Sequence, residues 1–210
     1  MFGIHDLTLF IISGLLLNIM PGPDSLLIMT RSATQGWRAG LATVAGIGAG
    51  TMVHVFAAAV GLSAILATSA TAFTVVKYVG AAYILWMALG LLTSKKKDVA
   101  SAIAVPHLPY RTIFAQGFLT NVLNPKVAIF FLAFVPQFID AAAPAKAVAF
   151  VILGCIFNVN GMLWCVSLAL FTAHASARIK VDPAVALWLK RATGGLFVWL
   201  GIKLALSKHN

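Results

Sequence analysis

Residues 18–24 read Asn-Ile-Met-Pro-Gly-Pro-Asp, and they interrupt an apolar run that extends from residue 4 to residue 30. Pro21 and Pro23 each remove a backbone donor and push the preceding residue out of helical geometry. Irregular backbone is tolerated at membrane depth only where it is buried in protein or lines a wet cavity. The stretch therefore predicts two half-helices, the second of which begins with free amides that suit an anion such as a carboxylate.

A second interruption lies at residues 121–126, Asn-Val-Leu-Asn-Pro-Lys, inside the apolar run 112–135. Asn-Pro is a favourable helix start, because Asn124 can cap the helix and Pro125 suits the first helical position. This run is therefore also predicted to consist of two half-helices, and the second of these likewise begins with free amides that suit an anion.

The composition predicts a membrane protein. Hydrophobic residues make up 61% of the 210-residue chain and charged residues 10%, against about 45–50% and about 25% in soluble domains. The mean hydropathy is +0.98, and a soluble fold of this size could not hide so much apolar surface. A membrane helix needs about 20 apolar residues, and six such runs can be drawn: 4–30, 41–66, 72–93, 112–135, 145–172 and 186–206. We therefore expect an all-α integral membrane protein with six transmembrane helices, of which helices 1 and 4 are broken.

The net charge of +10 does not indicate a nucleic-acid partner, since no basic face with interleaved aromatic residues is present. The basic residues instead follow the positive-inside pattern of membrane proteins. One side of the predicted membrane holds ten of them: Arg31, Arg38, Lys95, Lys96, Lys97, Arg111, Arg178, Lys180, Lys190 and Arg191. The other side holds four: Lys77, Lys146, Lys203 and Lys208. The side with ten is predicted to be cytoplasmic, so that the loop 94–111 faces inward and both termini face outward.

The two halves of the sequence resemble each other. The matching pairs are Gly14 and Asn18 with Gly117 and Asn121, Gly50 and His54 with Gly154 and Asn158, and Lys77 and Trp86 with Lys190 and Trp199. Each half has three spans, an odd number, so the second copy is predicted to be inverted in the membrane. The single transporter domain 1–210 then consists of repeat 1 (residues 1–93) and repeat 2 (residues 112–206). Inverted repeats with helices interrupted at matching positions indicate a secondary transporter, whose partners are a small solute and the lipid bilayer.

Each interruption carries one charged residue. Asp24 could simply complement the dipole of a first helical turn, and Lys126 could reach the membrane surface with its long side chain. At about 1.5 Å per residue, however, Lys126 lies roughly 15 Å from the end of its span. An ionisable residue inside the membrane is a candidate functional residue. We expect Asp24 and Lys126 to approach each other or to share one zwitterionic substrate, and Asp24 is the candidate proton carrier.

Spans 2 and 5 carry matching stripes of small and polar residues. Small residues at helical spacing indicate close helix packing. His54 and Asn158 occupy equivalent positions of the two repeats and are candidates to line the cavity. For His54, a structural hydrogen-bonding role is slightly favoured over a role as proton carrier. The stripes are Gly46, Gly50 and His54, and Gly154, Asn158, Gly161 and Cys165.

The segments 18–24, 36–40, 117–126 and 134–138 together resemble the LysE/RhtB family of bacterial amino-acid exporters. The resemblance implies efflux of amino acids or their derivatives across the cytoplasmic (inner) membrane, with proton exchange as the driving force. The residues that match the family pattern are Pro21, Gly22, Pro23, Asn121, Asn124, Pro125 and Lys126. Together with the residues singled out above, the candidate substrate-binding set is Asn18, Pro21, Gly22, Pro23, Asp24, His54, Asn121, Asn124, Pro125, Lys126 and Asn158.

Two other classes remain as alternatives to an exporter. A thiol-redox membrane carrier needs two cysteines that can meet, whereas Cys155 and Cys165 lie on one predicted helix. A small-solute channel needs a pore, and no ring of like charge is present. No enzyme, metal or cofactor motif is found. The exported amino acid is left open, and the glycine-rich faces leave a homo-oligomer open as well.

Overall fold

The computed structural model describes residues 2–62, 70–93, 107–140 and 142–175, with a few single positions between residues 191 and 206. The main helices are α1 (Leu7–Ile19), α2 (Pro23–Gln35), α3 (Trp37–Ala57), α4 (Ala70–Leu92), α5 (Tyr110–Val122), α6 (Pro125–Ile129) and α7 (Lys146–Ala175). A π-helical turn (Ala58–Leu62) extends α3, and a second one (Phe130–Phe134) followed by a 3₁₀ turn (Val135–Phe138) extends α6. In these ranges, β-structure amounts to one isolated bridge between Ile4 and Ile139.

Within the described residues, two helices are long and apolar enough to cross a membrane: Trp37–Gly61 and Lys146–Ala175. The pair α1–α2 bends by 55°, and α5 bends by 48° against the segment Lys126–Phe138. Counting each pair as one span raises the number to four. For the described residues, the prediction of an all-helical membrane protein with apolar helices of membrane length is thereby confirmed. Most of the predicted sixth span, 186–206, and most of the loop 94–111 lie outside the described residues.

The bend between α1 and α2 follows from its residues. Met20 leaves the helix with φ −59° and ψ 123°, and Gly22 is fully extended before Pro23 starts α2. Proline in the first helical position costs no hydrogen bond, because that amide has no partner within the helix. Gly36 ends α2 with a φ of +81°, a conformation that favours glycine, and α3 begins at the next residue.

Close backbone approach joins α3 to α5. A Cβ atom at Gly46 would meet the main-chain carbonyl of Phe114 and would lie 2.8 Å from the amide nitrogen of Phe118. A Cβ atom at Gly117 would meet the main-chain oxygen of Thr43. The glycines of this contact therefore serve packing, as small residues do between membrane helices.

The substitution Gly46→Ala is expected to destabilise the protein by about 1–3 kcal/mol, because the added methyl group overpacks a backbone contact that cannot yield cheaply. Gly61→Ala is the matched control, since nothing lies within 4 Å of a Cβ atom there. Thermal unfolding of both variants in detergent, followed by fluorescence, measures the difference. Equal melting temperatures for the two variants would contradict the close contact between α3 and α5.

Candidate functional site

Asp24 lies in the first turn of α2 and is bound by residues of the second interruption. Its Oδ2 atom accepts hydrogen bonds from Asn121 Nδ2 at 2.9 Å and from Asn124 Nδ2 at 3.1 Å. The residue is 8% exposed. Its second oxygen, Oδ1, is buried and has no hydrogen-bond partner in the described part of the chain. One half of the carboxylate thus joins the two interruptions, while the other half is unused.

Lys126 reaches in the opposite direction, from the start of α6 to the end of α1. Its Nζ atom donates to the main-chain oxygens of Leu17 at 3.2 Å and Met20 at 3.3 Å. The last carbonyls of a helix lack partners within it and carry partial negative charge, so an ammonium group is favourable at this end. A Cβ atom at Gly22 would lie 3.3 Å from Nζ, and the glycine therefore leaves room for the ammonium group.

Each charge is therefore held by the other interruption. Within the described residues, no ion pair shorter than 4 Å joins Asp24 to Lys126, so the two charged groups are not in direct contact. Both side chains do line one cavity. The amide of Lys126 is also not free, because the side chain of Asn124 accepts from it at 3.0 Å. The first amides of this half-helix are predicted to be free to bind an anion, whereas the amide of Lys126 already has a hydrogen-bond partner.

The cavity lies between α1, α2, α3, α5, α6 and α7. Its volume is about 30 Å³, which is room for one or two water molecules and not for an amino acid. The cavity is therefore too small to hold a substrate in this conformation. Its lining consists of Leu17, Asn18, Asp24, Ser25, Ile47, Thr51, Asn121, Lys126, Val127, Phe157, Asn158, Gly161, Met162 and Cys165.

Two residues of α3 orient Asn121. Thr51 Oγ1 donates to Asn121 Oδ1 at 3.3 Å, which leaves Nδ2 of that amide to donate to Asp24. His54 Nε2 donates to the main-chain oxygen of Asn121 at 3.0 Å, and its ring stacks on Phe131 at 6.4 Å. Thr51 is missing from the sequence-based set, although a hydroxyl one turn from His54 within an apolar run is a signal for it.

The structure brings together five members of the candidate set, and these line the cavity: Asn18, Asp24, Asn121, Lys126 and Asn158. Gly22 and Asn124 contact Lys126 and Asp24, whereas Pro21, Pro23 and Pro125 shape the two interruptions. His54 lies behind Asn121 and does not line the cavity, which favours the structural alternative for this residue.

The side-chain amides of Asn158 and Asn18, which both line the cavity, differ in their hydrogen bonding. Asn158 Nδ2 donates to the main-chain oxygen of Gly48 at 3.3 Å. Asn18 packs against Gly161, where a Cβ atom would lie 3.1 Å from its amide group, and its buried Nδ2 has no partner among the described residues. Asn18 is thus a second polar group with unused capacity at this cavity. No cluster of three metal-ligating side chains occurs in the described ranges.

Comparison with known proteins gives one family. The model of the LysE type translocator family matches residues 15–208. The chain is similar to an uncharacterized membrane protein of Bacillus subtilis, YrhP, at 31% identity, covering 97% of this chain and 100% of that protein. It is 30% identical to the homoserine/homoserine lactone efflux protein of Salmonella typhimurium, over 95% of this chain and 96% of the relative. The leucine efflux protein of Salmonella choleraesuis is 26% identical, over 97% and 96%. No solved structure matches.

Proposed function

We propose, since the chain belongs to the LysE type translocator family, that it is a secondary exporter of amino acids in a bacterial cytoplasmic membrane. The resemblance of the sequence to this family is confirmed by the family match. Relatives named for leucine efflux and for homoserine efflux support amino acids as the class of substrate. The observation that carries the proposal is that Asp24 and Lys126 line one cavity without pairing with each other.

Both charged groups have capacity left for a zwitterion. An ammonium group has three donors, and Lys126 uses two of them on the carbonyls of Leu17 and Met20. Asp24 uses one of its two oxygens. An amino acid would place its carboxylate on Lys126 and its ammonium on Asp24. Hydrogen bonds to charged groups contribute about 1.5–3 kcal/mol each, which is sufficient to fix the orientation of the substrate.

Alternating access requires that the two ends of the site open in turn, and two sets of contacts are candidates for this. At one end, which we call the outer latch, residues 3–6 pair with residues 138–140 through His5 N to Phe138 O at 3.1 Å and Asp140 N to Gly3 O at 2.8 Å. At the other end, the inner latch, Leu108 N donates to Gln35 Oε1 at 3.2 Å.

The inner latch is tied to α5 through Arg31. Arg31 donates from Nη1 to Gln35 at 3.0 Å and from Nη2 to Gln116 at 2.9 Å. Gln35 in turn donates to the main-chain oxygen of Leu108 at 3.0 Å. The basic residue Arg31 agrees with the proposal that the inner latch lies on the cytoplasmic side.

The two latches support the proposed inverted repeat and the reading of each bent helix pair as one interrupted span. His5 and Leu108 are separated by 103 positions, and their partners Phe138 and Gln35 each lie a few residues beyond the end of an interrupted span. Gly14 and Gly117 have the same offset. The start of the first half, at His5, contacts Phe138, which follows the fourth predicted span. The start of the second half, at Leu108, contacts Gln35, which follows the first predicted span.

Locking the outer latch is expected to stop transport. In a background with Cys155→Ser and Cys165→Ser, the double substitution Ile4→Cys and Ile139→Cys places two thiols across the antiparallel bridge, where Cα atoms lie within disulfide range. We expect oxidation to reduce counterflow in proteoliposomes to background and reduction to restore it. The single variant Ile4→Cys is the control. Full counterflow in the cross-linked protein would contradict alternation through this latch.

The proposal as a whole is tested by efflux from cells loaded with dipeptides. The medium is analysed for every amino acid by mass spectrometry with and without the protein. Accumulation of one class only when the protein is present supports export, whereas an unchanged medium with folded protein in the membrane contradicts it. Trans-stimulation of counterflow separates a carrier from a channel, which shows none.

We also propose that export is coupled to protons at Asp24. One carboxylate oxygen cannot hold a proton and a substrate ammonium at once, so binding of either excludes the other. A ligand shifts the balance of two conformations only through its different affinity for them. If the outward state favours the proton and the inward state favours the amino acid, the exclusion at Asp24 couples their movements in opposite directions.

A further inference from the structure

We infer that the site accepts amino acids with one ammonium group and an uncharged side chain, and that it rejects diamino acids. The inference rests on the proposed function and names its class of substrate. It follows from the number of carboxylates that the chain places inside the membrane and from the nature of the cavity wall.

The chain has five acidic residues, all of them Asp: Asp6, Asp24, Asp98, Asp140 and Asp182. Among these, Asp24 is the one that lies in the interior of an apolar run, whereas Asp6 lies at the start of the run 4–30. Asp6 and Asp140 belong to the outer latch, and their side chains are 69% and 62% exposed. Asp98 and Asp182 fall between the apolar runs. A second ammonium group in the site therefore has no second carboxylate to bind.

The charge balance of the cavity leads to the same class. Asp24 and Lys126 together are neutral, and a zwitterion with an uncharged side chain keeps the loaded site neutral. A diamino acid adds one positive charge that nothing offsets. The other polar side chains of the wall are amides, hydroxyls and the thiol of Cys165. They include Thr51 and Asn121, which are hydrogen-bonded to each other. An unpaired charge buried away from water is strongly unfavourable.

The remaining wall is suited to an apolar side chain. It is formed by Leu17, Ile47, Val127, Phe157 and Met162. Met162 has an adaptable side chain and packs against Gly48, where a Cβ atom would lie 2.6 Å from its sulfur. Because the cavity of about 30 Å³ must enlarge to admit an amino acid, a flexible apolar residue at this position allows side chains of different length.

The test uses purified wild-type protein in proteoliposomes and measures counterflow for two matched pairs. Norleucine and lysine share one carbon chain, to which lysine adds a terminal ammonium. In 2,4-diaminobutyrate, an ammonium replaces the hydroxyl of homoserine. We expect the uncharged member of each pair to be carried about 100-fold faster or more. Equal rates within both pairs would overturn this inference while leaving amino-acid export intact. Failure to carry any of the four would overturn the proposed function together with the inference.

Adding a carboxylate to the wall should change the preference. In Met162→Glu, with Met162→Gln as the uncharged control, we expect the ratio of lysine to norleucine counterflow to rise at least about 10-fold through the new ion pair. Cys165→Asp with Cys165→Asn is a second pair at another lining position. A ratio unchanged in both carboxylate variants, each shown to be folded by its melting temperature, would overturn the explanation by charge balance.

Discussion

Lys126→Met is expected to reduce amino-acid export about 100-fold or more, because it removes the cation proposed to bind the substrate carboxylate. It also removes both hydrogen bonds from Nζ to the carbonyls of Leu17 and Met20. Lys126→Arg keeps a cation and several donors at the same place, so we expect partial export from it. Efflux from dipeptide-loaded cells, corrected for the amount of protein in the membrane, measures both variants.

A second readout separates substrate binding by Lys126 from support of α1. A bound amino acid raises the melting temperature of the purified protein in proportion to the logarithm of its concentration over Kd. We expect this rise in the wild type and in Lys126→Arg, and no rise in Lys126→Met. If the Met variant melts lower but still gains stability from substrate, the role of Lys126 is to hold the end of α1. Export by Lys126→Met at the wild-type rate would contradict both roles.

The sequence predicts local features of this site well. Pro21 and Pro23 remove amides wherever they occur, so the end of α1 and the start of α2 follow from them alone. Asn124 and Pro125 likewise lie at the start of α6, with the Asn124 side chain accepting from the Lys126 amide. Composition alone predicts a membrane protein built from helices. These features depend on residues close together in the chain, which is why a single sequence is sufficient for them.

Contacts between distant segments could not be predicted in the same way. Lys126 is unfavourable at the start of its own helix, and its position is explained by the end of α1, more than 100 residues earlier in the chain. Thr51 acquires its role only through the orientation of Asn121. The predicted repeat gives His54 and Asn158 equivalent positions, yet Asn158 lines the cavity and His54 lies behind Asn121. Such differences depend on the packing angles between helices, and these angles cannot be derived from the spacing of residues along the chain.

Asp24→Asn is expected to lower export about 10- to 100-fold, because it loses a hydrogen bond between charged groups at a buried site. It is also expected to abolish the dependence of export on a proton gradient. The variant keeps the shape of the side chain, and its amide oxygen can still accept from Asn121 and Asn124, as Oδ2 does now. The two interruptions therefore remain joined, and the protein should fold. What disappears is the negative charge that a proton or a substrate ammonium would occupy.

Asp140→Asn makes the same chemical change at an exposed carboxylate of the outer latch, 3.9 Å from His5. Exposed ion pairs contribute little to stability, so this control should export at close to the wild-type rate and keep its response to protons. Uptake of a labelled amino acid into proteoliposomes, with and without an imposed pH gradient, compares the three proteins. Wild-type gradient dependence in Asp24→Asn would exclude Asp24 as the coupling residue. If Asp24→Asn loses the response to the pH gradient but keeps part of its counterflow, the role of Asp24 in proton coupling is separate from its role in substrate binding. Counterflow requires the substrate site but no proton.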